Sequence, residues 1–565
     1  MGLFGLADAV ANGTNSTSHE SHWEELVPSD PELRTAHMTY LLLGAFITFF
    51  GLVSHIVKDR LYMSEAMVAA AFGVIIGPIA GKLFVPEHLF GDSLHKTIFE
   101  VSRVVIALQC LIAGIALPGN YLWKEAKSVG MLLGPVMIYM WLSSALIVWA
   151  VFGFDWAFAL ILAGCVTPTD PVLANSIVKG KFAEKYIPYH VRLLISAESA
   201  ANDGLGVPLV FLPLYLWRMA GAGKAIGYWL LNVVLYQIIL AVVIGIAIGY
   251  ASRKALKYAD RHGWIDKEAM LGSFLAIALL SMGAMSLMGV DDILGCFVVG
   301  SVLSWDLWFN RHVDESNIQE IVDSIFNMTY FIFFGTLIPW MDFADVSIWK
   351  LVVASLLLLL FRRLPIVMLL KQWIPALETT KEAFFCGWFG PIGAGAIFYS
   401  MIAVVYLEMD PKPLFPIVAF IVLSSIVLHG GSVSLFEFGI TRHTTWKQER
   451  RERKLQRTLS EEAKINSAAI VSETSISMPA LETEPTLTNS PPMRPRAMSI
   501  SKAVDTSDLH HAHAETDASA DKPVDDAGPA AADETTDDAA AAGEPSNASG
   551  IASSGAGSKT VASQA

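Results

Sequence analysis

Apolar residues run along this chain in long blocks between His37 and Gly439, and charged residues gather at the block edges. A helix needs about 20 mostly apolar residues to cross a bilayer. Thirteen stretches qualify, at about 37–57, 64–83, 98–117, 128–153, 155–178, 190–217, 226–252, 268–289, 291–308, 319–340, 346–371, 381–407 and 413–439. The pattern predicts an all-α polytopic membrane protein of about 13 transmembrane helices. Basic residues separate the two sides. Lys58 and Arg60 follow the first span, Lys124 and Lys127 the third, Lys179, Lys181 and Lys185 the fifth, and Arg253, Lys254, Lys257, Arg261 and Lys267 the seventh. Loops 153–155 and 290–292 carry none. Cytoplasmic loops hold the excess of Lys and Arg, so the odd-numbered loops face the cytoplasm, with the N-terminus outside and the C-terminal tail inside. The sequons Asn12-Gly-Thr14 and Asn15-Ser-Thr17 suit an outward N-terminal segment. Met1–Asn12 lacks the charged start of a cleavable signal, which leaves the first span as the insertion signal.

Two spans break the helical rule at matching places. The fifth contains Thr167-Pro168-Thr169-Asp170-Pro171, and the twelfth contains Gly390-Pro391-Ile392-Gly393-Ala394-Gly395. Proline removes a backbone donor and clashes with the preceding turn. Freed backbone is tolerated at membrane depth only where protein or a wet cavity satisfies it. Spans five and twelve are seven apart and therefore run in opposite directions. They are the fifth members of spans 1–6 and 8–13, which leaves the seventh as a linker between two inverted repeats. Paired interruptions of this kind point to the binding site of a secondary transporter.

The sixth span reads Ile195-Ser196-Ala197-Glu198-Ser199-Ala200-Ala201-Asn202-Asp203-Gly204. Charges inside a bilayer are costly and by default mark function. Ser199 and Asp203 share one helix face and Glu198 and Asn202 another, because residues four apart are neighbours. Ala200, Ala201 and Gly204 admit a close neighbour, for which the broken fifth span, with Thr169, Asp170 and freed carbonyls, is the candidate. Carboxylate, hydroxyl and carbonyl oxygens suit a hard cation such as Na⁺, Li⁺ or K⁺. Desolvation penalises the ionised Asp203 carboxylate; a proton or a metal ion can neutralise it, but not both together. Competition for one carboxylate is a sufficient mechanism of exchange. The bland alternative makes Glu198 and Asp203 polar glue between helices. Arg362 and Arg363 lie inside the eleventh apolar run. An unpaired arginine there would be expensive, so Arg363 is assigned to Glu198, leaving Asp203 to titrate. Arg362 is divided between burial and snorkelling to the interface. Asp291 and Asp292 open the ninth span as an N-cap or a cation vestibule.

Composition supports these readings. Of 565 residues 53% are hydrophobic and only 16% charged, against about 25% charged in an ordinary soluble domain. The net charge of −14 sits mostly beyond Arg457, where 17 Asp/Glu face 6 Lys/Arg, and it carries no implication of a nucleic-acid partner. Cys110, Cys165, Cys296 and Cys386 lie in apolar runs and read as small buried hydrophobes. No cofactor is expected. A cation channel, or a transporter of another small ion, is the second functional class; a single carboxylate site without a repeated filter speaks against a channel. A hydrolase with Ser199 as nucleophile needs a base, and no histidine or lysine is expected in a span near that depth; His190 sits at a span end.

Thr169-Asp170-Pro171, Glu198-Ser199-Ala-Ala-Asn202-Asp203, Asp291-Asp292-Ile-Leu-Gly and Arg362-Arg363-Leu-Pro together resemble the fungal alkali-metal cation/proton antiporters of the cation/proton antiporter-1 family, over about residues 30–455. The resemblance implies a homodimer in which spans 1–3 and 8–10 form the dimer domain and spans 4–6 and 11–13 a mobile core. The interrupted fifth and twelfth helices would cross at mid-membrane, with Asp170 at the crossing. Thr169, Ser199 and Asp203 would hold the transported Na⁺, beside Asn202, and Glu198 would pair with Arg363. The implied activity is exchange of cytoplasmic Na⁺, with Li⁺ and K⁺ as further candidates, for external H⁺ at the plasma membrane, serving salt tolerance and cation and pH homeostasis. Animal relatives carry an arginine where this chain has Ile392, so that residue's role does not transfer.

The layout expected is an extracellular segment 1–36, a transmembrane domain 37–440, a basic juxtamembrane segment 441–457 on the anionic leaflet, and a disordered acidic tail 458–565. Arg457-Thr-Leu-Ser460 and Arg494-Pro-Arg496-Ala-Met-Ser499 resemble sites for basophilic kinases, with a phosphoserine-binding adaptor as the partner such sites would recruit. The tract His510-His511-Ala-His513 reads as solvated.

Overall fold

The computed structural model describes residues 31–474, apart from 62, 172, 175–180, 315–317 and 406–407. The sequons, the Ser499 site and the histidine tract lie outside the described residues. Contacts group residues 1–469 into one unit and 470–565 into a second, of which only the end of the last helix is described.

Among the described residues the regular secondary structure is all helix. In order come α1 (Pro31–His55), α2 (Glu65–Ile76), α3 (Leu94–Ala116), α4 (Met137–Phe152), α5 (Trp156–Val166), α6 (Tyr189–Gly204), α7 (Gly206–Arg218), α8 (Leu240–Arg261), α9 (Lys267–Met288), α10 (Asp292–Leu303), α11 (Ile318–Leu337), α12 (Ile348–Phe361), α13 (Leu364–Leu370), α14 (Thr380–Trp388), α15 (Ala394–Val405) and α16 (Pro411–Thr474), with short helical turns between some of them. Each of the thirteen apolar stretches contains helix. Among the described residues seven helical runs are long and apolar enough to cross a bilayer in one piece, and α2, α5, α10 and α15 are apolar but shorter. Leu52, Leu231 and Leu287 stand exposed on the outside, as side chains do when lipid rather than water surrounds the protein.

The two-repeat expectation appears in the packing. α2 lies along α11, and α3 along α10. With spans 2 and 3 equivalent to spans 9 and 10, these are one contact seen twice, once from each repeat. Both are backbone-close at glycine. A Cβ at Gly73 or Gly335 would strike the carbonyl of Ile332 or Ala70, and one at Gly114 or Gly300 that of Phe297 or Leu111. Small residues let membrane helices gain van der Waals contact at such distances. α4 packs on α12, α5 on α4 and α7, and α15 on both α3 and α5.

Two further helices are interrupted. The sixth span is interrupted at Leu205, between α6 and α7. The eleventh breaks at Arg362-Arg363, where Pro365 opens α13. At the C-terminal end the helix does not stop near residue 440 or at Arg457: α16 continues to Thr474, through the basic segment and into the acidic region.

Candidate functional site

Pro168, Pro171 and Pro391 carry no amide hydrogen, so the backbone around each break needs partners from elsewhere. Part of the answer is the other break. α5 ends at Val166 and α14 at Trp388, and the two unwound segments meet where the Asp170 N–H donates to the Pro391 carbonyl at 2.9 Å.

Helix ends then sort by charge. The Asp170 carboxylate accepts from the Leu173 N–H through Oδ1 (2.8 Å) and from the Ala394 N–H through Oδ2 (2.6 Å). These are first-turn amides of the helical stretches that follow each break, where aligned peptide dipoles leave donors unsatisfied and the potential positive. Gly393 must be glycine for this contact, since a Cβ would overlap Asp170 Oδ2. Arg362 does the opposite. Its guanidinium donates to the carbonyls of Val166 and Thr167 (3.0 Å to the latter) and of Gly390 (2.5 Å). One cation thereby joins the carbonyl-rich sides of both breaks. Snorkelling of Arg362 is overturned, as the side chain is only 2% exposed. The carbonyls freed by unwinding supply the acceptors that interfacial water would otherwise provide.

Arg363 forms a two-point pair with Glu198, Nη1 to Oε1 at 2.6 Å and Nη2 to Oε2 at 2.7 Å, and its Nε donates to the Cys386 carbonyl at 2.9 Å. Both side chains are buried. Asn202 ties this pair to the fifth span. Its Oδ1 accepts from the Thr169 N–H (2.9 Å), while Nδ2 donates to Thr169 Oγ1 (2.8 Å) and Glu198 Oε1 (3.0 Å). The Thr169 and Ser199 hydroxyls lie 3.0 Å apart.

Asp203 differs from all of these. It is 1% exposed, yet neither carboxyl oxygen has a hydrogen-bond partner among the described residues. The backbone around it is fixed: the Tyr399 hydroxyl donates to the Asp203 carbonyl. α15 closes the near wall, with Gly395 placed so that a Cβ would sit 2.5 Å from Asp203 Oδ1. Of the expected trio, then, the structure brings the Thr169 and Ser199 hydroxyls to each other and leaves the Asp203 carboxyl bonded to neither.

Asp291 and Asp292 begin α10, whose Leu294 packs directly on Gly204, the residue after Asp203. Asp291 Oδ1 caps the Leu294 N–H at 2.9 Å, and Oδ2 is buried without a partner. Asp292 Oδ2 accepts from the Ser286 hydroxyl at 2.6 Å and lies 3.8 Å from the Arg103 guanidinium.

Sequence reasoning missed three contributors. Tyr399 reads as one more aromatic in an apolar span. Ser425 and His429 lie in the last span, which corrects the expectation that no histidine lies within a span. His429 is 2% exposed, and its ring contacts Ser425 and the Trp388 carbonyl. The chain does carry a signal for the pair, two polar residues four apart in an apolar helix.

Comparison with known proteins follows the same lines. The model of a family described as "Sodium/hydrogen exchanger, transmembrane" matches residues 44–438. A Na⁺/H⁺ antiporter of Saccharomyces cerevisiae is 37% identical over 445 residues, covering 74% of this chain and 44% of the relative. One from Schizosaccharomyces pombe is 34% identical over 433 residues, covering 73% of this chain and 91% of the relative. The chain spans 44–57% of the length of three fungal relatives. The fold is shared with the sodium proton antiporter MjNhaP1 from Methanocaldococcus jannaschii, at a TM-score of 0.55 and 18% identity, over 71% of this chain and 99% of that one.

Proposed function

Because this multi-pass membrane chain belongs to the sodium/hydrogen exchanger family, we propose that it is a secondary active antiporter moving Na⁺ out of the cytoplasm against H⁺. Li⁺ and K⁺ are further candidate cargoes. The observation that carries the reading is the Asp203 carboxyl, buried without a protein partner beside two broken helices. An ionised carboxylate in that position is costly unless something neutralises it. A proton does so on one side of the membrane and a cation on the other, and competition between them couples the two fluxes.

The other residues prepare the place. Thr169 and Ser199 offer hydroxyl oxygens to a cation held by Asp203, an oxygen set suited to a hard ion. Asn202 orients Thr169, while Asp170 and Arg362 neutralise the helix ends so that the breaks need no water. The Glu198–Arg363 pair is structural. Asp291 and Asp292, at the helix start packed on Gly204, form the vestibule. Spans 4–6 and 11–13 act as the mobile core against a dimer domain of spans 1–3 and 8–10, in a homodimer of the plasma membrane with the N-terminus outside and the tail cytoplasmic. The role served is salt tolerance and cation and pH homeostasis. The tail beyond Arg457 is regulatory, through a phosphoserine-binding adaptor.

The test is proton movement in proteoliposomes after a Na⁺ pulse and then a K⁺ pulse, with wild type and Asp203→Asn side by side. Wild type should alkalinise or acidify according to the gradient, and the variant should be silent at equal incorporation. Wild-type vesicles in which neither cation moves protons would overturn the antiport reading, and normal exchange by Asp203→Asn would overturn the site.

A further inference from the structure

The unwound segment between α14 and α15 leaves Phe389, Gly390, Pro391, Ile392 and Gly393 outside any helix, and its polar backbone groups have separate partners. The Gly390 carbonyl goes to Arg362 and the Pro391 carbonyl to Asp170, both within the site already described. Trp388, just before the segment, and Ile392 within it go elsewhere, to one helical turn of α16. The Ile392 N–H donates to Ser425 Oγ at 2.8 Å, and His429 Nε2 lies 3.1 Å from the Trp388 carbonyl. His429 Nδ1 lies 3.1 Å from Ser425 Oγ.

His429 Nδ1 also lies 3.1 Å from the Ser425 carbonyl. A carbonyl can only accept, so the neutral ring donates through Nε2 to Trp388 or through Nδ1 to Ser425. In the Nε2–H tautomer Nδ1 takes the Ser425 hydroxyl hydrogen, and the lone pairs of Ser425 Oγ remain for the Ile392 N–H. Contacts then run from Ile392 through Ser425 and His429 to Trp388, spanning the unwound segment. They are reinforced at one end, where Ser432 Oγ donates to the His429 carbonyl (2.9 Å) and lies 3.3 Å from Trp388 Nε1. Ser425, His429 and Ile392 are all buried, so water does not substitute for a lost member.

We propose that Ser425 and His429 are positioning residues for transport: they hold Trp388 and Ile392 at a fixed separation, and through the unwound segment set the wall of the Asp203 site. Ile392 lies two residues before Ala394, whose N–H donates to Asp170, and three before Gly395, where an added Cβ would reach Asp203 Oδ1. A segment that loses its hold at Ile392 moves that wall. Cation affinity then suffers first, because the distances between Asp203 and the oxygens around it decide how well an ion fits.

This inference rests on the antiport reading, and two measurements keep their failures apart. Hydrogen exchange of peptides covering 388–396, in the purified full chain, reads the hold without transport; Ser425→Ala should speed exchange there, and Ser425→Thr should restore protection. Proteoliposome transport reads the consequence. Ser425→Ala should raise the KM for Na⁺ roughly tenfold, the scale of a buried N–H deprived of its acceptor, with the maximal rate per folded protein changed less. Ser425→Thr and His429→Gln, which keep the hydroxyl and the donor to Trp388, should stay within about threefold of wild type. A purely structural role would lower the amount of folded protein and the maximal rate at unchanged KM. Unchanged KM in Ser425→Ala, or exchange no faster than wild type, overturns the proposal; wild type without cation-driven proton movement overturns the antiport reading instead.

Discussion

The Glu198–Arg363 pair is the interaction whose removal has the most calculable outcome. Both partners are buried, at 1% and 2% exposure, and joined by two short hydrogen bonds of 2.6 and 2.7 Å. Arg363→Gln leaves Glu198 with a single donor among the described residues, the Asn202 amide at 3.0 Å, in a buried place. Glu198→Gln leaves a guanidinium facing an amide and the Cys386 carbonyl. Breaking a buried pair by removing one charge costs about 3–5 kcal/mol, because an uncompensated charge stays behind. Removing both charges leaves two amides able to bond each other, so the double variant Glu198→Gln/Arg363→Gln should lose only about 1–3 kcal/mol. The double variant is thus expected to be more stable than either single one, with a coupling energy of several kcal/mol. The assay is the unfolding midpoint of the four proteins in the same mixed micelles, read by tryptophan fluorescence. Losses in the double variant that equal the sum of the single losses within about 0.5 kcal/mol would refute the reasoning.

Two further substitutions probe the breaks. Arg362→Lys keeps the charge but not the fork that reaches Val166, Thr167 and Gly390 together; it should cost about 2–4 kcal/mol of stability and most of the transport, measured by the same unfolding midpoint and by proteoliposome exchange. Gly395→Ala places a methyl 2.5 Å from Asp203 Oδ1, and should suppress Na⁺-driven proton movement while the protein still purifies as a folded species; wild-type KM in that variant would show that α15 does not wall the site.

Much of this arrangement is legible in the residues, and what is not has identifiable causes. Proline and glycine announce the two breaks because they act on their own backbone, whatever surrounds them. The acids of the sixth span announce themselves by their cost in an apolar run. Arg362 is different: two destinations satisfy a guanidinium equally in sequence terms, and only the folded arrangement shows that both breaks turn their carbonyls toward it. Ser425 and His429 are hidden for a related reason, since their partners are main-chain atoms of Trp388 and Ile392, which carry no sequence signature. The break at Arg362-Arg363 does carry a mark in the sequence, Pro365, a residue favoured in the first turn of a helix. The turn at Leu205 has only Gly204 and Gly206 to mark it, and Gly204 reads equally well as a site of close packing, which it also is against Leu294.

The same chemical change at two neighbouring acids should give opposite results. Asp170 uses both oxygens as acceptors, one for each helical start. In Asp170→Asn one oxygen becomes an NH₂ group facing a backbone N–H, so a donor meets a donor and one helix start loses its cap. The favourable interaction of a full negative charge with two helix N-termini is lost as well. The expected cost is about 2–4 kcal/mol of stability. Asp203 uses neither oxygen. Asp203→Asn removes a charge that the fold does not satisfy and should leave the unfolding midpoint unchanged or raise it, while transport disappears. If transport alone were measured the two variants would look alike, both silent. Stability separates them, and equal destabilisation by both would mean that Asp203 has a structural partner, returning it to the role of glue between helices.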